Sequence, residues 1–220
     1  MKKYDIVAFD LDGTLTDPSH GLIEGFIYAF KKLGINYGGR ESLYKYIGPS
    51  LFKEWQKDFG MTPDEANEAI FVFREYYNIY GWWDNRVYDG VVEMLEGLRS
   101  CGKSIILATS KPDATAKRVM RHFGLDKYFD FMAGADSHVR DEKWKVLRYC
   151  LSEFGVNLED PKEREKCILV GDRKYDAEGA LACGIDSLGV LYGHGSYEDM
   201  RSSGFTLLAK TPTEVLDLLK

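Results

Sequence analysis

From Val87 to the carboxyl end, short apolar runs alternate with stretches of helical periodicity, and that rhythm restricts the chain to very few folds. Residues 104–108, 129–133, 167–170 and 186–191 read as strands, with a weaker run at 205–208. Between them apolar residues recur every three or four positions: Val91, Met94, Leu95 and Leu98; Ala116, Val119, Met120 and Phe123; Leu147, Cys150, Leu151 and Phe154; Ala177, Ala180 and Leu181. A last helix is expected at Pro212–Leu219. Strands separated by helices of this length require right-handed crossovers, which build a mostly parallel sheet. Far upstream, Ile6-Val7-Ala8-Phe9 is a wholly apolar run that stops at Asp10, as a strand buried on both faces would. One strand cannot persist alone, so it must join the same sheet.

The intervening block shows no strand pattern. Ile23, Phe26, Ile27, Phe30 and Leu33 follow Asp17-Pro18-Ser19 at helical spacing, and Gly34 stops them. Ala66, Ala69, Ile70, Phe73, Tyr77 and Tyr80 repeat the pattern after Thr62-Pro63-Asp64-Glu65, with shorter helices at 43–46 and Leu51–Phe59 broken at Gly48-Pro49. The expected architecture is α/β: a Rossmann-like, three-layer, parallel-sheet core from residues 1–16 and 86–220, with an inserted α-helical domain at 17–85.

Composition narrows the function classes. Hydrophobic residues make up 45% and charged residues 29%, which excludes intrinsic disorder. Runs such as Ile105-Ile106-Leu107-Ala108 fall far short of the roughly 18 residues of a membrane span. A net charge of −6 argues against nucleic acid as a partner. Asp5 stands where a signal peptide would be apolar. Cys101, Cys150, Cys167 and Cys183 lack C-x-x-C spacing, and His20, His122, His138 and His194 are scattered, so a reduced, cytoplasmic chain without zinc is expected.

Open parallel sheets bind ligands beyond the carboxyl ends of their strands. Those ends carry Asp10-Leu11-Asp12-Gly13-Thr14, Thr109-Ser110-Lys111, the stretch 134–145, and Gly171-Asp172 through Asp176. Asp10, Asp12, Asp172 and Asp176 converging on one point would repel, and a hard divalent cation, Mg²⁺, is their natural companion. Thr109 and Ser110 add hydroxyl donors and Lys143 a fixed positive charge, the set that a phosphoryl group needs. An Asp-x-Asp at a strand end serves a turn or cap equally well, so the convergence carries the argument. A calcium loop starting at Asp10 would place Gly21 where the bidentate Glu belongs. Gly193-His194-Gly195 continues into Glu198 where a dinucleotide fingerprint needs glycine, and no P-loop motif occurs.

Phe9-Asp10-Leu11-Asp12-Gly13-Thr14-Leu15 resembles the signature of the haloacid dehalogenase superfamily of phosphotransferases. Leu107-Ala108-Thr109-Ser110-Lys111-Pro112 resembles its second motif, Lys143 falls at its third, and Gly171-Asp172 through Asp176 resembles its fourth. The likeness spans nearly the whole chain and is closest to the phosphoglycolate phosphatase-like and 5′-nucleotidase-like branch. It implies that Asp10 is a nucleophile forming an aspartyl-phosphate and that Asp12 is the general acid and base. Mg²⁺ would be held by Asp10, the Asp12 backbone carbonyl and Asp172, with Asp176 direct or through water. Thr109 and Lys143 would meet the phosphoryl group, with Thr14 and Ser110 also at the substrate.

The helical insert corresponds to the superfamily's cap, with Gly48, Pro49 and Ser50 facing the substrate. Three features depart from the pattern. Lys143 lacks the following proline found in many relatives, which leaves Lys145 as a competitor. Ser110 stands where many phosphoglycolate phosphatases have Asn. Leu51 replaces the arginine of the related sugar phosphomutases. Residues 16–85 hold 7 Lys/Arg against 10 Asp/Glu, so the cap is no basic phosphate collector. Tyr76, Tyr77, Trp82 and Trp83 read first as core and second as a stacking surface for a base or sugar. His138 and Arg140 lie near the third motif, His138 as a surface residue. The resulting expectation is a Mg²⁺-dependent phosphatase for a small phosphorylated metabolite, such as phosphoglycolate, a nucleoside 5′-monophosphate or a sugar phosphate. A phosphomutase and a non-catalytic phospho-ligand or protein-binding relative are the alternatives. Monomer and homodimer both remain open.

Overall fold

The computed structural model describes residues 4–136 and 139–220; His138 lies outside them. In chain order the first elements are β1 (Ile6–Phe9), β2 (Thr16–Asp17), α1 (Ser19–Leu33), α2 (Leu51–Phe59), α3 (Pro63–Tyr76) and β3 (Arg86–Val87). They are followed by α4 (Val91–Ser100), β4 (Ser104–Pro112), α5 (Asp113–His122), β5 (Phe131–Ala135) and α6 (Lys143–Glu153). The chain ends with α7 (Pro161–Arg164), β6 (Cys167–Gly171), α8 (Lys174–Cys183), β7 (Asp186–Val190), α9 (Tyr197–Ser202), β8 (Leu207–Ala209) and α10 (Pro212–Leu219). Two compact units result, Met1–Thr16 with Val87–Lys220, and Asp17–Arg86. The second crossing follows Arg86, one residue later than the spacing suggests.

The first unit is built on a six-stranded sheet in the order β5-β4-β1-β6-β7-β8, every described pairing parallel. β1 lies near its middle, with Ile6 opposite Ser104 of β4 on one side and Cys167 of β6 on the other. That position explains its composition: Val7, Ala8 and Phe9 are buried because both faces are covered. On one face Ala8, Ile106, Ala108 and Leu169 pack against Val146, Leu147, Cys150 and Leu151 of α6 and Ala180 and Cys183 of α8. Each fully buried Val, Leu or Ile side chain among these contributes about 1.5–3 kcal/mol.

Several boundaries differ from the pattern for local reasons. β5 starts at Phe131 because the Phe129 N–H still closes the preceding turn on Asp126 O, at 3.1 Å, and the Asp130 carboxylate is taken by Arg99 and the Ile105 N–H. α7 and α9 are too short to show a periodicity; Asp160 and Ser196 start them by accepting the N–H of Lys162 and of Asp199. Leu181, whose spacing places it in the core, is instead 80% exposed, since Ala177, Ala180 and Cys183 occupy the inward stripe of α8. Among the described residues no helix is long and apolar enough to cross a membrane.

The second unit gathers α1, α2 and α3 around Trp55, which is fully buried, its ring centroid 4.8 Å from that of Phe30, 5.7 Å from Phe26 and 6.4 Å from Phe73. Gly34 ends α1 in the left-handed conformation, and Thr62 opens α3 with a capping box to Glu65. The 43–46 segment belongs to a 3₁₀ turn, Arg40–Tyr46. After α3 a π turn, Tyr77–Gly81, carries Tyr77 into this core with Trp82 packed at its edge. Trp83 is half exposed and donates its Nε1–H to Ile79 O at 3.2 Å. Gly48 and Ser50 are exposed in the turn entering α2, and Pro49 is half-buried.

Candidate active site

The site forms where β1 and β6 end beside the carboxyl half of β4. Phe9 is level with Leu107 and Val170, so Asp10, Thr109 and Asp172 emerge from three adjacent strands. The Asp10 N–H continues the ladder to Val170 O at 2.9 Å. The chain then folds back sharply, with the N–H groups of Thr14, Leu15 and Thr16 all aimed at Leu11 O. Gly13 makes that turn possible twice over. Its φ of 87° is left-handed, and any Cβ there would collide with the Asp172 carboxylate.

Asp10, Asp172 and Asp176 each offer a carboxylate oxygen, all within 4.8 Å of one another. Lys143, at the first turn of α6, enters from the side with Nζ 2.8 Å from Asp10 Oδ1 and 2.7 Å from Asp176 Oδ1. Asp176 Oδ2 accepts the Arg173 N–H at the start of α8, and Asp172 Oδ2 accepts the His194 N–H at 2.7 Å. Burial, with the Asp176 and Asp10 charges, pushes Asp172 up to about 8. Burial likewise raises Asp176, against the pull of Lys143. Burial alone would lower Lys143, but Asp10 and Asp176 outweigh it and its pKa is raised. Three clustered carboxylates facing one ammonium, two of them with pKa raised by burial, fit a hard oxygen-seeking divalent cation. Such a cation would sit among Asp10, Asp172 and Asp176.

The remaining expected residues fall into place unequally. Thr109 is buried in β4, two residues beyond Leu107, the partner of Phe9. Ser110 is exposed, on the opposite phase of the strand. Thr14 is fully buried and its hydroxyl meets Asp172 Oδ1 at 3.5 Å, leaving no surface for a substrate. Lys145 pairs at 2.6 Å with Asp141, which precedes α6, and Lys143 is the one of the two that reaches the carboxylates. The Arg140 guanidinium lies over the Tyr149 ring at 4.1 Å. Gly48, Pro49 and Ser50 belong to the other unit.

Two features of the site go beyond the sequence reading. The Asp12 carboxylate is not part of the three-acid cluster but is paired with buried Lys111, Nζ to Oδ2 at 2.7 Å. The loop after β7 closes on the fourth motif: Tyr192 donates its hydroxyl to Thr14 O, and a Cβ at Gly193 would collide with Gly13 O and Asp172. The alternation of β4 carries a signal for the first, since Lys111 is two residues beyond Thr109 and shares its face. Nothing local signals the second.

A cluster of aspartates able to hold a divalent cation at the carboxyl edge of a parallel sheet, with a lysine bridging two of them, fits a phosphoryl-transfer type of centre. The chain belongs to the haloacid dehalogenase-like hydrolases, whose family pattern it matches over residues 7–190. It is 35% identical to a 5′-nucleotidase of Pseudomonas aeruginosa across 91% of this chain and 88% of that one. It is 34% identical to the tyrosine-protein kinase PtkA of Mycobacterium tuberculosis, across 94% of this chain and 69% of that one. A predicted phosphatase from Clostridium acetobutylicum has the same fold, with a TM-score of 0.91, 33% identity and 98% of both chains covered.

Proposed function

We propose that the protein is a Mg²⁺-dependent phosphomonoesterase of the cytoplasm acting on a small phosphorylated metabolite through an aspartyl-phosphate at Asp10. The observation that carries this reading is the bridging of Asp10 and Asp176 by Lys143 beside Asp172. Mg²⁺, held by Asp10, Asp172 and the Asp12 carbonyl, with Asp176 direct or through water, would neutralise phosphate charge. Asp10 attacks phosphorus while Asp12 protonates the departing ester oxygen; Asp12 then takes a proton from the water that releases phosphate. Lys143 offsets the charge of Asp10 and of the phosphoryl oxygens, and Thr109 donates to them. The Asp17–Arg86 unit acts as the cap in this reading, so choice among esters falls to residues it carries, including Gly48, Pro49 and Ser50. Likeness to a protein named a tyrosine kinase favours a second reading, phosphoryl transfer to a tyrosine acceptor by the same carboxylates.

The test is phosphate release from phosphoglycolate, nucleoside 5′-monophosphates and sugar phosphates, each with Mg²⁺, with chelator and with Asp10→Asn. Metal-dependent release lost in Asp10→Asn supports the phosphatase, and the preferred ester names its substrate. No release from any ester, with label passing from ATP to a tyrosine peptide, would replace it with the second reading.

A further inference from the structure

Lys111 is buried at 7% exposure, a rare state for lysine, and its ammonium meets Asp12 Oδ2 at 2.7 Å. Among the described residues this is the one polar partner of the Asp12 carboxylate, whose other oxygen, Oδ1, is buried without a hydrogen bond. Asp12 is therefore oriented from β4, not from the cluster that holds Asp10. The strand is built to deliver this contact. Thr109 and Lys111 share one face of β4 while Ser110 points away, and the Lys111 N–H donates to Thr109 Oγ1 at 3.2 Å. The register with β5 shifts between Thr109 and Pro112, so the strand end is irregular where Lys111 sits.

We propose that Lys111 is a positioning residue for Asp12: it fixes the rotation of the carboxylate that exchanges a proton with the leaving group. The proposal rests on the phosphatase reading. In the first displacement the bond from Asp10 to phosphorus forms, the phosphorus–ester oxygen bond breaks, and the proton on Asp12 moves to that oxygen, which leaves as an alcohol. In the second, water adds to phosphorus, Asp12 recovers a proton from it, and the bond to Asp10 breaks with release of phosphate. Lys111 itself exchanges no proton with the ester and takes no phosphoryl group; it acts through the Asp12 oxygen it meets. Without it the carboxylate turns freely, and the step that suffers is protonation of a poor leaving group.

The experiment compares kcat/KM for p-nitrophenyl, phenyl and benzyl phosphates in the wild-type protein, Lys111→Met, Asp12→Asn and the double variant. p-Nitrophenolate departs with little need of a proton, whereas benzyl alkoxide cannot. Lys111→Met should lose activity on all three, but about 10- to 100-fold more on benzyl than on p-nitrophenyl phosphate, within the usual span of general-acid effects. In the Asp12→Asn background the same change should add no further selectivity. Equal losses on all three esters would overturn the proposal and make Lys111 a phosphate-neutralising or structural group. Should Lys111→Met fail to fold, Lys111→Arg replaces it, since a guanidinium keeps the charge but not the point contact; a slope unchanged from wild type would again overturn the role. Failure of the underlying reading looks different: no release from any ester, or a flat slope in Asp12→Asn itself.

Discussion

The backbone N–H of His194 donates to Asp172 Oδ2 at 2.7 Å across 22 residues of sequence. The contact depends on the close approach of the 192–195 loop, in which Gly193 sits against Gly13 O and the Asp172 side chain. Gly193→Ala should therefore push the loop away and release one oxygen of Asp172, a proposed ligand of the cation. The expected outcome is a fall in stability of roughly 1–3 kcal/mol from overpacking together with weaker binding of Mg²⁺. Thermal unfolding across a Mg²⁺ titration checks both, the second as a higher midpoint concentration for the cation-dependent rise in Tm.

Stability of the metal-free protein should depend on pH in an unusual direction. Asp172 is pushed from 3.8 up to about 8, so the folded chain holds this proton more tightly than the unfolded chain does. Between about pH 4 and pH 8 the folded state binds more protons, and linkage then makes stability fall as pH rises. Asp176, also raised by burial, adds in the same sense. The loss is on the order of a few kcal/mol at most, because a tenfold change in proton affinity is worth about 1.4 kcal/mol and water relaxes buried charge. A divalent cation bound by the cluster would replace the proton as the counter-charge. Calorimetry in chelator should show Tm falling from pH 5 to pH 8, with Mg²⁺ restoring it most at pH 8. A Tm in chelator that rises over this window would contradict the assignment.

Lys143 and Lys145 make a matched pair for mutagenesis. Lys143→Met strips the ammonium from two buried carboxylates, Asp10 and Asp176. Breaking a buried pair from one side costs about 3–5 kcal/mol, and phosphate release should drop by at least about 100-fold. Lys145→Met removes only a surface pair with Asp141 and should leave turnover within about threefold. Circular dichroism on both variants separates lost chemistry from lost fold.

The difference between those lysines marks how far the sequence can be read. Ile6–Phe9 declares itself a central strand because both of its faces have to be buried, and the motifs at β1, β4 and β6 then converge by the rule of strand ends. The helical insert is equally visible, since Phe26 and Phe30 on α1 and Phe73 on α3 keep the helical period of the stripes buried around Trp55. Which lysine reaches inward depends on the start of α6, and a one-residue shift of a helix turns a side chain by about 100°. Lys111 escapes because β4 runs on to Pro112, past the apolar stretch that defines it. The 192–195 loop escapes because its partner, Asp172, is a tertiary neighbour that no local pattern reports. Leu181 goes the other way: its chemistry suggests burial, but alanines and a cysteine already fill that face of α8.

Thiol reactivity gives a check on the packing that does not involve the site. Cys101 is exposed at the end of α4, whereas Cys150, Cys167 and Cys183 are buried. Burial pushes the thiols of Cys150 and Cys167 up to about 12 and that of Cys183 up to about 11. Each also donates to a backbone carbonyl, Cys150 to Leu107 O, Cys167 to Glu163 O and Cys183 to Trp144 O. Thiolate is the reactive species, so these three are protected both by access and by ionisation. With a chromogenic disulfide reagent at pH 8, one equivalent should react quickly and three only as fast as the core opens. Cys101→Ser should abolish the fast phase, and guanidinium should expose all four thiols in the parent chain. Two fast thiols in the parent would mean that α6, α8 or β6 packs more loosely than the contacts across the sheet require.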